Sequence, residues 1–106
     1  LTWAFASDFS EGLAAVLSEG RWGYLNRRGD IAIPPQFTYA ADFAEGLAAV
    51  QQEDRYGYIN GSGNWVISPI YHNAGPFSEG LARVQVNGRW GFVDTFGHLL
   101  TGVGFG

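Results

Sequence analysis

Three glutamates, Glu11, Glu45 and Glu79, stand 34 residues apart and are the only carboxylates present at the same place in all three copies of a 34-residue spacing. A facing pair of carboxylates can do general acid–base work, one protonated and the other ionised. That chemistry needs two different environments to split the pKa values, whereas copies at a fixed repeat give each glutamate nearly the same one. All three are therefore read as structural, making a turn hydrogen bond or a salt bridge to Arg21, Arg55 or Arg89. His72 and His98 fall in different phases of the repeat, and the chain has no cysteine, so no metal site and no metal cofactor are expected. Gly61-Ser-Gly63 and Gly102-Val-Gly-Phe-Gly106 look like phosphate-binding loops, but neither opens a helix nor precedes Lys-Ser/Thr, and turn glycines explain both.

The aromatic residues offer a different chemistry. Trp3, Trp22, Tyr24, Tyr58, Trp65 and Trp90 carry flat rings with a polar edge, which suits stacking on sugars or on proline-rich peptides. Rings on a central strand more often pack in the core. Trp65 stands apart, because its counterparts in the other copies are Ile31 and Leu99 and nothing in the repeat requires an indole. Trp65, Tyr39, and the Arg27-Arg28 pair at a hairpin tip form the candidate binding set. The arginines are otherwise solvated charge with an acidic partner as their one alternative use.

These residues sit on a frame written three times. Phe9-Ser-Glu-Gly-Leu13 leads to Arg21-Trp-Gly-Tyr-Leu25, Phe43-Ala-Glu-Gly-Leu47 to Arg55-Tyr-Gly-Tyr-Ile59, and Phe77-Ser-Glu-Gly-Leu81 to Arg89-Trp-Gly-Phe-Val93. A constant spacing with no insertion marks a module repeated in tandem. The 106 residues are expected to form a single domain, 1–106, of units at about 4–37, 38–71 and 72–105.

Within a unit, Leu13 to Leu17, a tight turn and Arg21 to Asn26 read as a hairpin, and the counterpart turn Asn87-Gly88 is the strongest short hairpin signal. In the second strand Trp22, Tyr56 and Trp90 alternate with Gly23, Gly57 and Gly91. Both faces of this strand are apolar, so it should be central, and the glycine should clear space for a close neighbour. Asn26, Asn60 and Asp94, each three before a glycine, predict a type I turn closed by a left-handed glycine. A third strand begins at Ile31, Trp65 and Leu99, and it is expected to stop at Pro34-Pro35, at Pro69 and at Gly102. The remainder reads as an ordered crossover, with or without a helical turn, pinned to the core by Phe5, Phe9, Phe37, Tyr39, Phe43, Tyr71 and Phe77.

Composition bounds the function. The chain is 46% hydrophobic and 16% aromatic, which suffices for a core without staples. Six arginines against ten acidic residues give a net charge of −4, which repels a phosphate backbone, so no nucleic acid is expected. No apolar run reaches the roughly 18 residues of a membrane span, so no membrane insertion is expected. A first residue of Leu1 rather than Met is expected of a mature form or of a piece of something longer. The compartment stays open between cell surface, extracellular space and cytoplasm.

The phrases Phe43-Ala-Glu-Gly-Leu-Ala-Ala-Val50, Arg21-Trp-Gly-Tyr-Leu-Asn26, Gly29 and Ile33-Pro-Pro-Gln-Phe37 resemble the WG-repeat family. The resemblance covers all three units. Arginine stands where the family commonly has lysine, Tyr56 replaces tryptophan, and Thr101-Gly102-Val103 replaces the Ile-Pro-Pro stop. It implies an all-β, mostly bacterial module used as a binding or scaffolding surface, and it brings no catalytic or ligand-binding residues with it.

The fold expected is all-β, three tandem antiparallel β-meanders in a small solenoid-like array. A closed pseudo-threefold propeller or trefoil is the alternative, favoured by the matched starting and stopping phase. The third unit carries no polar capping signature. The function expected is non-enzymatic: protein interaction, scaffolding or head-to-tail assembly with a protein partner or with itself. Binding of a carbohydrate or peptidoglycan through exposed aromatics is the alternative.

Overall fold

The computed structural model describes residues 5–100. Trp3, Thr101 and Gly102-Val-Gly-Phe-Gly106, named above, lie outside them. Each unit is a four-stranded antiparallel meander. In the first, β1 (Phe5–Ala6), β2 (Leu13–Ser18), β3 (Arg21–Asn26) and β4 (Ile31–Phe37) lie side by side in chain order. The second holds β5 (Tyr39–Ala40), β6 (Leu47–Gln52), β7 (Arg55–Asn60) and β8 (Trp65–Tyr71). The third holds β9 (Asn73–Ala74), β10 (Leu81–Val86), β11 (Arg89–Asp94) and β12 (Leu99–Leu100). The sheets follow one another in an open array of 48 × 25 × 20 Å, elongated and not closed into a barrel, propeller or trefoil.

The crossover holds no helix among the described residues. Its middle is a two-residue strand at the sheet edge, with Tyr39 opposite Gln51 and Ala40 opposite Val50. The core also differs from the one expected of aromatic anchors alone. Phe37, Phe43, Tyr71 and Phe77 are buried, but Phe5, Phe9 and Tyr39 are exposed.

Two kinds of turn join the strands within a unit. At Ser10 to Leu13 the N–H of each end residue donates to the carbonyl of the other, at 2.8 and 3.1 Å. Both central residues are left-handed, Glu11 at φ 53° and Gly12 at 82°, which is the hairpin turn whose twist matches the strands it joins. Asn26 Oδ1 accepts from the N–H groups of Arg28 and Asp30 at 3.0 and 3.1 Å, and Asn60 and Asp94 do the same two and four residues on.

The third strand does not stop at its prolines. β4 runs through Pro34 and Pro35 to Phe37, and β8 runs through Pro69 to Tyr71. Both are edge strands, so the missing N–H groups break no ladder on the outer side. The inner side accommodates them by a bulge: Tyr24 pairs with Ile33 and Trp22 with Phe37, so one residue of β3 faces three of β4. That residue is Gly23. A Cβ there would lie 2.5 Å from the Ile33 carbonyl oxygen and 2.6 Å from Pro35 N. Gly57 meets Ile67 and Pro69 in the same way. The expected close approach is thus the bulged backbone crossing the glycine.

The core lies between the sheets. Ala48, Val50 and Ile59 of the middle sheet pack with Ala15, Tyr24 and Phe43 in one cluster. Leu47, Ala49 and Tyr58 of the same sheet pack with Ala82, Val84 and Val93 in another. Alternation along β6 and β7 thus sends successive residues into two different cores, which is why both faces are apolar. A single meander buries neither face alone, so each unit depends on its neighbour.

Candidate functional site

The recurring glutamates join one unit to the next. Glu11 Oε2 accepts from the N–H of Glu45 at 2.7 Å and Oε1 accepts from Gly46 at 2.8 Å. Glu45 in turn accepts from the N–H groups of Glu79 and Gly80 at 2.5 and 2.8 Å. The tight turn makes this possible: two successive left-handed residues point both N–H groups outward, forming a small cradle for an anion. Glu11 and Glu45 are therefore each both a member of a turn and the anion bound by the following turn. The expected salt bridges are absent among the described residues, where Arg55 pairs with Asp54 at 3.1 Å. Along strands that carry the chain forward, a glutamate reaches the neighbouring turn more readily than the far end of its own hairpin.

The buried tyrosines make a second tie. The Tyr24 hydroxyl donates to the carbonyl of Ala41 at 2.5 Å and that of Tyr58 to Gly75 at 2.6 Å, each in the following unit's crossover. Burial pushes the Tyr24 phenol upward from its ordinary pKa, with Asp42 and then Tyr39 adding to the effect. Burial does the same at Tyr58, with Tyr71 adding to it. Phe92 holds this position in the third unit and carries no hydroxyl.

A row of rings crosses the face of the first two units. Phe5 meets Trp22 at 5.7 Å between centroids, Trp22 meets Tyr39 at 6.1 Å, and Tyr39 meets Tyr56 at 6.3 Å, all edge to face. Phe5, Trp22 and Tyr39, with Asp42 and Phe43, line an open groove of ≈ 680 Å³. Neighbouring ring planes stand 63° to 78° apart, so the row is a series of notches and not the shared flat face on which a sugar stacks.

The four candidate binding residues fall in different surroundings. Trp65 is exposed and meets Phe37 edge to face at 5.9 Å. Tyr39 belongs to the ring row. The Arg27 guanidinium lies over Phe9 at 5.2 Å, and Arg28 pairs with Asp30 at 3.6 Å with both side chains solvated. Of the four, Tyr39 alone lines the groove. Trp22, Tyr56 and Trp90 are half-buried, and Arg83 lies over the Trp90 ring at 5.0 Å. His98 bonds the Asp94 carboxylate at 3.1 Å, and the described residues hold no cluster of three metal-ligating side chains. Single-residue readings missed the ring row, although its spacing of 17 residues, half a unit, is visible from Phe5 to Tyr56.

Three stacked meanders joined through their turns define an all-β tandem-repeat array. A family model described as WG containing repeat matches residues 3–22, 22–56 and 56–90, and the chain belongs to that family. The matched units run from one WG strand to the next, so their boundaries fall inside the sheets. Comparison with curated proteins and with solved structures gives no match.

Proposed function

We propose that this chain is a non-enzymatic interaction and scaffolding module whose ends dock further units of the same repeat, head to tail. The carrying observation is the glutamate ladder. Two of its three turn cradles hold a carboxylate from the preceding unit. Among the described residues, the Glu11-Gly12 cradle at one end holds none and the Glu79 carboxylate at the other end has no cradle. One end therefore offers two donors and the other a matching acceptor, the geometry of a contact that propagates. The engagement of both Glu11 and Glu45 oxygens by backbone N–H groups supports a structural use of these carboxylates over acid–base work. Light scattering on a sizing column across a hundredfold concentration range tests the reading. Mass that climbs with concentration is expected, and mass fixed at the 11.5 kDa of one chain overturns it.

The ring row favours a second reading, an extended ligand lying in the groove across the first two units. Notches between tilted rings suit the puckered rings of a proline-rich peptide better than the flat face of a sugar. Titration followed by tryptophan fluorescence separates the two: quenching by a proline-rich peptide supports the peptide, quenching by soluble glycans alone supports the carbohydrate, and neither response removes both.

A further inference from the structure

The ring row meets a charge that the repeat does not require. Beside Trp22 and Tyr39, the groove of ≈ 680 Å³ is bordered by Asp42, from the crossover of the second unit. The Asp42 side chain is exposed and makes no hydrogen bond or ion pair among the described residues. All six arginines of the chain lie among those residues and none lines this groove, which leaves an unpaired carboxylate beside an aromatic wall. One unit further on, the counterparts of Trp22 and Asp42 are Tyr56 and Pro76. Indole and carboxylate therefore come together at the first junction and not at the second. The third unit shows which group suits an indole at this place. Arg83 lies over the Trp90 ring at 5.0 Å, and the residue at its position in the first unit is Ala15, which lines the groove with Trp22. Trp90 thus receives a guanidinium from its own chain, whereas no cation lies over Trp22 among the described residues.

We propose that this groove takes an arginine side chain of a proline-rich peptide, the guanidinium lying against the Trp22 indole and donating to the Asp42 carboxylate. This rests on the peptide reading above and names the side chain that anchors the ligand. The chemistry selects arginine over lysine. A guanidinium plane lies on a ring and still presents N–H groups at its edge to a carboxylate, whereas an ammonium is compact and strongly hydrated. The prolines next to that arginine follow the row of rings, in the notches between Trp22, Tyr39 and Tyr56. A net charge of −4 draws any basic peptide toward the surface, and Asp42 gives the arginine one place on it.

The test is fluorescence anisotropy with a dye-labelled polyproline peptide that carries an arginine at each end, which serves either direction of binding. In two companion peptides the arginines are replaced by citrulline, which keeps the shape and loses the charge, or by lysine. The arginine peptide should bind about tenfold or more tighter than the citrulline one, as expected for a charge-assisted hydrogen bond, with lysine between them. Asp42→Asn should shrink the arginine-to-citrulline ratio to about twofold or less. Asp8→Asn is the control. It stands at the corresponding place one unit earlier, outside the groove, and removes the same charge, so the ratio should keep its wild-type value. Both residues are exposed, and circular dichroism shows that each variant keeps its fold. Equal binding of the arginine and citrulline peptides, lysine binding as tightly as arginine, or a ratio that Asp42→Asn lowers no more than Asp8→Asn does, overturns the arginine contact while the peptide reading stands. If none of the three peptides binds, both fall.

Discussion

Gly57→Ala tests whether the WG glycine is fixed by the bulge. A methyl group there would lie 2.5 Å from the Ile67 carbonyl oxygen, 2.7 Å from Pro69 N and 2.8 Å from Pro69 Cα. Ordinary contact begins near 3.4 Å, so the backbone of β8 must retreat by about 0.9 Å. All three neighbours are main-chain atoms, and no side chain can swing aside to make room. Retreat loosens the pairing of β7 with β8, where Tyr58 faces Ile67 and Tyr56 faces Tyr71, both members of the second core or packed against it. Overpacking that moves backbone costs about 3 kcal/mol or somewhat more, offset by about 0.5–1 kcal/mol for replacing glycine in a strand. The net expectation is a loss of about 2–3 kcal/mol. In urea, with a slope of about 1.5 kcal/mol per molar, the unfolding midpoint should fall by about 1.3–2 M. Gly46→Ala is the control, since nothing lies within 4 Å of its added methyl and the cost is that of a left-handed alanine at φ 82°, about 1 kcal/mol. A Gly57→Ala variant within 0.5 kcal/mol of the wild type, or no worse than Gly46→Ala, would refute the close-approach argument.

Three further outcomes follow from the junctions. Glu45→Ala removes two charge-assisted hydrogen bonds at a solvated site and should cost about 1–2 kcal/mol in the same urea assay. Glu79→Ala in dilute, monomeric protein should cost under about 0.5 kcal/mol, and equal losses would contradict the ladder. Tyr58→Phe leaves the Gly75 carbonyl without its donor and should cost about 1 kcal/mol, whereas no loss would mean that the hydroxyl tie is idle. Burial raises the phenol pKa of Tyr24 and Tyr58, so the folded chain keeps protons that the unfolded chain releases above about pH 10. Stability from these groups is complete below pH 10 and falls above it, by up to about 1.4 kcal/mol per pH unit for each tyrosine. A urea midpoint unchanged between pH 9 and 11 would oppose this.

Much of the fold was legible in single residues and short spacings. Asn26 and Gly29 dictate their turn because an Asx side chain caps two N–H groups and glycine alone takes φ near 86° without cost. Trp22-Gly23-Tyr24-Leu25 marks a central strand because alternation makes both of its faces apolar. The family was legible for the same reason, since a fixed unit repeats its motifs in full. The prolines misled. Pro34 and Pro35 end a strand by local rules, yet β4 passes through them because it lies at an edge and bulges over Gly23, and neither its edge position nor the bulge is local. The shared surroundings of Glu11 and Glu45 could be inferred, but not their partners, which belong to the following turn.

By itself, then, the sequence determined what is local and periodic: the strands, the turn types, the 34-residue unit and the need for neighbouring units to cover apolar faces. Tertiary structure alone decided which atoms meet across a junction. Stacking brings Glu11 to the Glu45-Gly46 cradle, seats Phe43 on Tyr24, and leaves Phe9 and Tyr39 in solvent although their residue types read as core. The physical reason is that burial and hydrogen-bond partnership belong to the pair of sheets facing each other, and identical residue types acquire different neighbours according to the unit that carries them.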